Sequence, residues 1–205
     1  MKHIFLILTF AAGMWSGPKA TINTALQQQL LQMYRNDQYE IEHHSRSNKL
    51  KIGKDSVTVT SDSMLRTIHN HMLKQIFDQH GYPGYDLVDT SGAHYFWLLV
   101  QHQDADSTFQ KSVLAAMKVE VKKGLASGSD YAYLTDRVMV NTGHKQIYGT
   151  QMYTDPTTGI SAPLPLEYPN KVEQLRMAAG LDSLKKYIHL MNSFYIDSTG
   201  TMHNK

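Results

Sequence analysis

From Thr21 onward apolar residues recur every three or four positions, and Ile22, Leu26, Leu30, Met33, Tyr34 and Ile41 share one side of an amphipathic helix predicted over 21–44. The period then drops to two. Leu50 and Ile52, then Val57 and Val59, flank Gly53-Lys54-Asp55-Ser56, the pattern of a short hairpin within 49–60. Ser61 or Asp62 can cap a second helix whose stripe is Leu65, Ile68, Met72 and Ile76, and His80-Gly81-Tyr82-Pro83-Gly84-Tyr85 ends it. Tyr95-Phe96-Trp97-Leu98-Leu99-Val100 is apolar in every direction, which among helical neighbours predicts a central buried helix over 93–102. Ser107 with Gln110 forms a capping-box pattern ahead of the stripe Phe109, Val113, Ala116, Met117 and Val121, which Gly124 ends.

A short helix is predicted over 131–137. Val138-Met139-Val140, Asn141-Thr142-Gly143 and Gln146-Ile147-Tyr148 then read as a hairpin, with two further short strands around Asp155-Pro156-Thr157-Thr158-Gly159. Pro163, Pro165 and Pro169 hold the next stretch extended, Asn170 with Glu173 caps a helix over 171–179, and after Gly180 a helix resumes at Asp182 and runs to about Met191. The fold class is therefore mainly α (α+β): one helical domain, 21–197, with a small antiparallel hairpin or meander near 138–162 and a frayed tail at 198–205.

Residues 1–20 follow a different pattern: Lys2 and His3, an apolar run from Ile4 to Phe10, then small residues around Ser16-Gly17. That is the layout of a secretory signal, so export to the periplasm or beyond is expected, with no stable membrane span after cleavage. An N-terminal helix packed on the domain, or an uncleaved anchor, is the alternative. The remaining composition narrows the chemistry. With 205 residues, 41% hydrophobic and 19% charged, the chain can bury a core and is neither disordered nor a multi-span membrane protein. A net charge of +2 without a basic stripe gives no reason to expect nucleic acid. The absence of cysteine removes disulfides, thiolate nucleophiles and cysteine-bound metals.

Candidate chemistry lies where polar residues interrupt apolar faces. Asp37, four after Met33 and four before Ile41, falls on the buried stripe of the first helix and is followed by Gln38. It is either a site carboxylate or a stripe-edge group paired with an arginine. In Gln101-His102-Gln103-Asp104, His102 projects from the end of the most buried helix, where a helix C-terminus and a nearby carboxylate favour its protonated form. It suits a general acid; the alternative is a last-turn histidine bonded to a free carbonyl, with Asp104 or Asp106 capping the next element. In Asp136-Arg137 the arginine can clamp a carboxylate of a side chain or of a ligand. Gln146-Ile147-Tyr148-Gly149-Thr150-Gln151 offers amides, a phenol and a hydroxyl around one glycine, but no strong nucleophile. The 11 histidines lack metal-ligand spacing at His43-His44 and His69-x-His71, so no cofactor is expected; a divalent metal on His102 with distant aspartates is the alternative. No phosphate loop, dinucleotide fingerprint or nucleophile elbow is present.

These clusters also carry a resemblance. Leu30-Leu31-Gln32-Met33 leading to Asp37-Gln38, Gly81-Tyr82-Pro83 with Leu87-Val88, and Trp97-Leu98-Leu99-Val100-Gln101-His102 with Asp104 resemble the bacterial family catalogued as domain of unknown function 6624. So do Phe109-Gln110, Tyr133-Leu134-Thr135-Asp136-Arg137-Val138, Gly143-x-x-Gln146-x-Tyr148-Gly149-Thr150-Gln151 and Pro165-Leu166-Glu167-Tyr168-Pro169 before Arg176, Gly180-Leu181 and Tyr187. The likeness covers nearly all of the chain after residue 20 and implies a shared shape and polar set, without an activity. It departs at Ile41, where an arginine is expected, and at the 49–60 excursion.

These residues admit two functions. One is an exported hydrolase or lyase acting on a small molecule, peptide or glycan, with His102 as acid–base group, Asp37 or Asp136 orienting it, and Gln38, Gln101, Asp104, Arg137, Gln146, Tyr148 and Gln151 holding substrate. The other is a non-catalytic ligand-binding or accessory domain in which the same groups form a satisfied network.

Overall fold

A computed structural model describes residues 21–42, 50–52, 55–57, 61–196 and 202–204; the expected signal at 1–20 lies outside them. The first helix, α1 (Thr24–Glu42), buries Leu26, Leu30 and Met33, the spacing that its sequence stripe sets, and packs more extensively on α3 than on any other element. The excursion after it forms strands β1 (Leu50–Ile52) and β2 (Asp55–Val57), paired antiparallel with Leu50 opposite Val57. Helix α2 (Ser61–His80) buries Ile76 of the expected stripe, but its other fully buried positions are His69 and Leu73, one residue beyond Ile68 and Met72, and Ile68 is 46% exposed.

Helix α3 (Tyr85–Gln101) starts eight residues before the predicted boundary at 93, because Asp89 joins a short first piece to the long second one. Asp89 holds φ 59° and ψ −175°, a conformation that costs a non-glycine residue on the order of 1–3 kcal/mol. Its carboxylate offsets that cost by accepting from the backbone N–H groups of Ser91 and Gly92, capping the second piece, and from the Gln27 amide of α1. Phe96, Leu99 and Val100 of α3 are fully buried and form the centre of the core with Leu30, Leu73, Val113, Met117 and Leu134.

Helix α4 (Ser107–Lys122) is capped by Asp106, whose side chain accepts from Phe109 N at 3.0 Å; the expected Ser107 cap is displaced by one residue. Gln110, expected at the far end of a capping box, instead turns inward and donates to the carbonyls of Val100 and Gln101. Helix α5 (Gly128–Asn141) runs through Val138-Met139-Val140, so no hairpin forms there. Leu134 and Val138, four apart, are both buried, and that helical stripe outweighs the local β-branched run.

The hairpin lies downstream, in β3 (Met152–Thr154) and β4 (Ser161–Pro163), paired Met152 to Pro163 and Thr154 to Ser161. A 3₁₀ turn at Pro169–Lys171 leads into α6 (Val172–Ala178), which has no side-chain cap; Asn170 does not serve. Glu173 instead reaches forward to the backbone N–H of Leu184, where α7 (Leu184–Ser193) begins. Asn192 of α7 fastens β4 by exchanging two bonds with the backbone of Ser161. Residues 202–204 of the expected frayed tail are strand β6 (Met202–Asn204), antiparallel to β5 (Phe194–Ile196). Among the described residues no helix is long and apolar enough to cross a membrane.

Candidate functional site

Asp37 sits one turn beyond Met33 on the buried face of α1, and His102 is the residue on which α3 ends. Helix packing brings them together: His102 Nδ1 lies 2.8 Å from Asp37 Oδ2, across 65 positions of sequence. Gln38 Nε2 donates to the same oxygen at 3.0 Å, and Arg66 of α2 donates to the His102 carbonyl at 2.8 Å. The Asp37 side chain is 7% exposed and that of His102 15%. Burial alone raises the Asp37 pKa, but the His102 hydrogen bond and charge, with the Gln38 amide, outweigh it and hold the carboxyl below its ordinary range. An ionised Asp37 accepts from Nδ1–H, which leaves the lone pair of a neutral His102 on Nε2; among the described residues that nitrogen has no partner.

His69 of α2 is a group that hydrophobic patterning does not reveal. It is 2% exposed and its Nδ1 has no hydrogen-bond partner. Burial lowers its pKa and the neighbouring His102 lowers it further, against the attraction of Asp37, so the ring stays neutral beside the pair. Its four-residue spacing from Leu65 and Leu73 is the one available signal.

Two more buried polar atoms lack partners one turn apart on α3: Trp97 Nε1 and Gln101 Oε1. An unpaired buried donor or acceptor costs about 1–3 kcal/mol, so a protein keeps few without use. Beyond them, Arg137 of α5 clamps Asp104 with two bonds, Nε at 2.7 Å and Nη2 at 2.5 Å, and Asn141 adds a third at 2.8 Å. The arginine's carboxylate partner is thus a side chain of its own domain.

The remaining candidates build a rigid loop. Asp136 is fully buried, and its two oxygens accept from the N–H groups of Ile147, Tyr148 and Thr150 and from the Thr150 hydroxyl. Arg176 of α6, 1% exposed, grips the same loop by donating to the carbonyls of Tyr148 at 2.6 Å and Gly149 at 3.3 Å. Gln146, also fully buried, accepts from Gln151 N and donates to the carbonyls of Gln151 and Leu164. Tyr187 donates to the Thr150 carbonyl. Gly149 is required by its φ of +70°; a Cβ there would in addition crowd only the movable end of the Leu184 side chain.

The expected single cluster is therefore divided. Asp37, Gln38 and His102 meet directly; Asp104 and Arg137 meet each other; Asp136, Gln146, Tyr148 and Gln151 belong to the loop. Asp37, not Asp136, orients His102, and Asp136 has its acceptor sites filled by backbone. Among the described residues no group of three or more His, Asp and Glu side chains is arranged to hold a metal ion.

A family model described as "Family of unknown function (DUF6624)" matches residues 24–198. The chain belongs to this family. No curated protein and no solved structure matches it. In this DUF6624 member the matched region takes in both Asp37 and the Asp136 loop.

Proposed function

We propose that Asp37 and His102 form the acid–base centre of an exported enzyme of hydrolase or lyase type, acting on a small molecule, peptide or glycan. The observation that carries this reading is the 2.8 Å contact from His102 Nδ1 to a buried carboxylate, which directs the basic Nε2 away from its partner. In that role Nε2 takes a proton from water or from the substrate, Asp37 stabilises the imidazolium that forms, and Nε2 returns the proton to the leaving group. Gln38 and Gln101 stand beside the pair in sequence as substrate-holding amides, and Asp104, just past the end of α3, with Arg137 of α5 completes the proposed substrate-holding set. The signal-like pattern of residues 1–20 supports export.

A second reading, a ligand-binding or accessory domain without chemistry, is favoured by the self-satisfied loop around Asp136 and Gln146. A panel of chromogenic esters, peptides and glycosides separates the two. With a substrate that is turned over, His102→Gln lowers kcat by about a hundredfold or more if His102 is the proton carrier. An unchanged kcat in that variant would defeat the assignment. Nitrogen chemical shifts of the His102 ring give a check that needs no substrate: near neutral pH the neutral form carries its proton on Nδ1, and finding it on Nε2 removes the basis of the mechanism.

A further inference from the structure

A cavity of about 230 Å³ lies between α4, the start of α5 and the end of α6. Its floor is apolar, from Val121 of α4 and Leu175 and Ala178 of α6, and its rim carries Lys118, Lys122, Tyr131 and Tyr148. Lys118 and Lys122 are one helical turn apart and therefore project from the same side of α4. Neither enters an ion pair among the described residues, and Glu120, the one acid of α4, is bound to Lys123 at 2.8 Å. Among the described residues no carboxylate lines the cavity. The Tyr148 backbone is held in place, with its N–H on Asp136 and its carbonyl on Arg176, which fixes where its side chain leaves the chain. Burial raises the Tyr148 pKa, and Tyr131 and Asp136 raise it further, so its phenol remains a hydrogen-bond donor at neutral pH.

We propose that this cavity binds a small organic carboxylate with an apolar body, the carboxylate between Lys118 and Lys122 and the body on the Val121–Leu175 floor. Two ammonium groups without an ion pair among the described residues and a phenol donor beside apolar walls match an anion joined to a ring or short chain. A bare inorganic anion leaves the floor unused, and a neutral amide leaves the lysines unused. The volume lies below the roughly 300–1,000 Å³ that holds drug-sized ligands, which limits the occupant to a compact molecule.

Calorimetric titration of the full chain with 3-phenylpropionate, 3-phenylpropionamide and inorganic phosphate tests this. The carboxylate is expected to bind at least about tenfold more tightly than either control, and K118Q/K122Q to weaken it by at least about tenfold, one charge-assisted contact being worth that much. Tyr148→Phe is expected to weaken it by a smaller factor. Equal binding of the amide marks a purely apolar groove, equal binding of phosphate marks a diffuse basic patch, and either result overturns the proposal. So does the absence of measurable binding, or full affinity in K118Q/K122Q with the variant's melting temperature unchanged.

Discussion

Replacing Asp136 by alanine removes the acceptor of three backbone N–H groups and one hydroxyl in a site with no solvent exposure. Each buried donor left without a partner costs about 1–3 kcal/mol, and simple addition over the three peptides gives about 3–9 kcal/mol. Water entering the vacated space recovers part of that, so a loss of about 4 kcal/mol is expected, close to the cost of removing one member of a buried charged network. Against a total stability of roughly 5–15 kcal/mol this is a large fraction, and for a chain of this size it lowers Tm by roughly 8–16 °C. Asp136→Asn keeps the shape but turns an amide donor towards backbone donors, so its loss should be at least about 3 kcal/mol. Guanidinium unfolding followed by circular dichroism measures both, with an unchanged denaturant slope confirming that the native state is the one perturbed. Losses below about 1 kcal/mol in both variants would refute the view that this carboxylate organises the loop.

Three other contacts each give a measurable outcome. Because Asp37 is held below its ordinary 3.8, its contribution to stability is complete above that value and disappears as pH falls through the folded-state pKa. Asp37→Asn should therefore flatten the acid limb of a Tm–pH curve below about pH 4, and an unaltered limb would contradict the pairing with His102. His94 has the opposite sign: its hydrogen bond to Asp130 raises the pKa above 6.5 despite partial burial, with the Asp130 charge adding to it, so its contribution is present below that value and lost as pH rises through the folded one. With 47% of its side chain exposed the effect is small, and it should show as a Tm difference between the protein and His94→Gln that narrows from pH 6 to pH 8. Gly149→Ala forces a positive φ on a residue with a Cβ, so a loss of about 1–3 kcal/mol is expected in thermal unfolding; a neutral variant would mean that the loop can yield.

Periodicity locates α1, α2 and α4, and the all-round apolar run of α3 marks the central helix. Periodicity fails where two patterns overlap. Val138-x-Val140 has the spacing of a strand, yet Leu134 and Val138 also have that of a helix, and burial of the second pair decides the outcome. In α2 the apolar letters at Leu65, Ile68, Met72 and Ile76 conceal a buried face that includes His69, because a histidine does not register as core in a hydrophobic count. The cap of α4 is open in the sequence, since Ser107 and Asp106 are both competent; Asp106 takes the role, accepting from Phe109 N and also pairing with Lys74 of α2 at 2.6 Å.

The candidate site is legible in the sequence as residue types and not as partners. Asp37 announces itself as a carboxylate on an apolar stripe, but whether an arginine or a histidine meets it is a matter of helix packing over 65 positions. Asp136 and Arg137 invite a joint reading because they are adjacent, and adjacency is what divides them. Successive residues on a helix point about 100° apart, so α5 directs Asp136 into the Gln146–Gln151 loop and Arg137 towards Asp104, two residues beyond His102. One helix thus holds the rigid loop and the flank of the Asp37–His102 pair in fixed relation. If that strut matters to the pair, loosening the loop with Asp136→Ala should alter the ring shifts of His102 even though no hydrogen bond among the described residues joins the two; unchanged His102 shifts in a folded variant would show that loop and pair are mechanically independent.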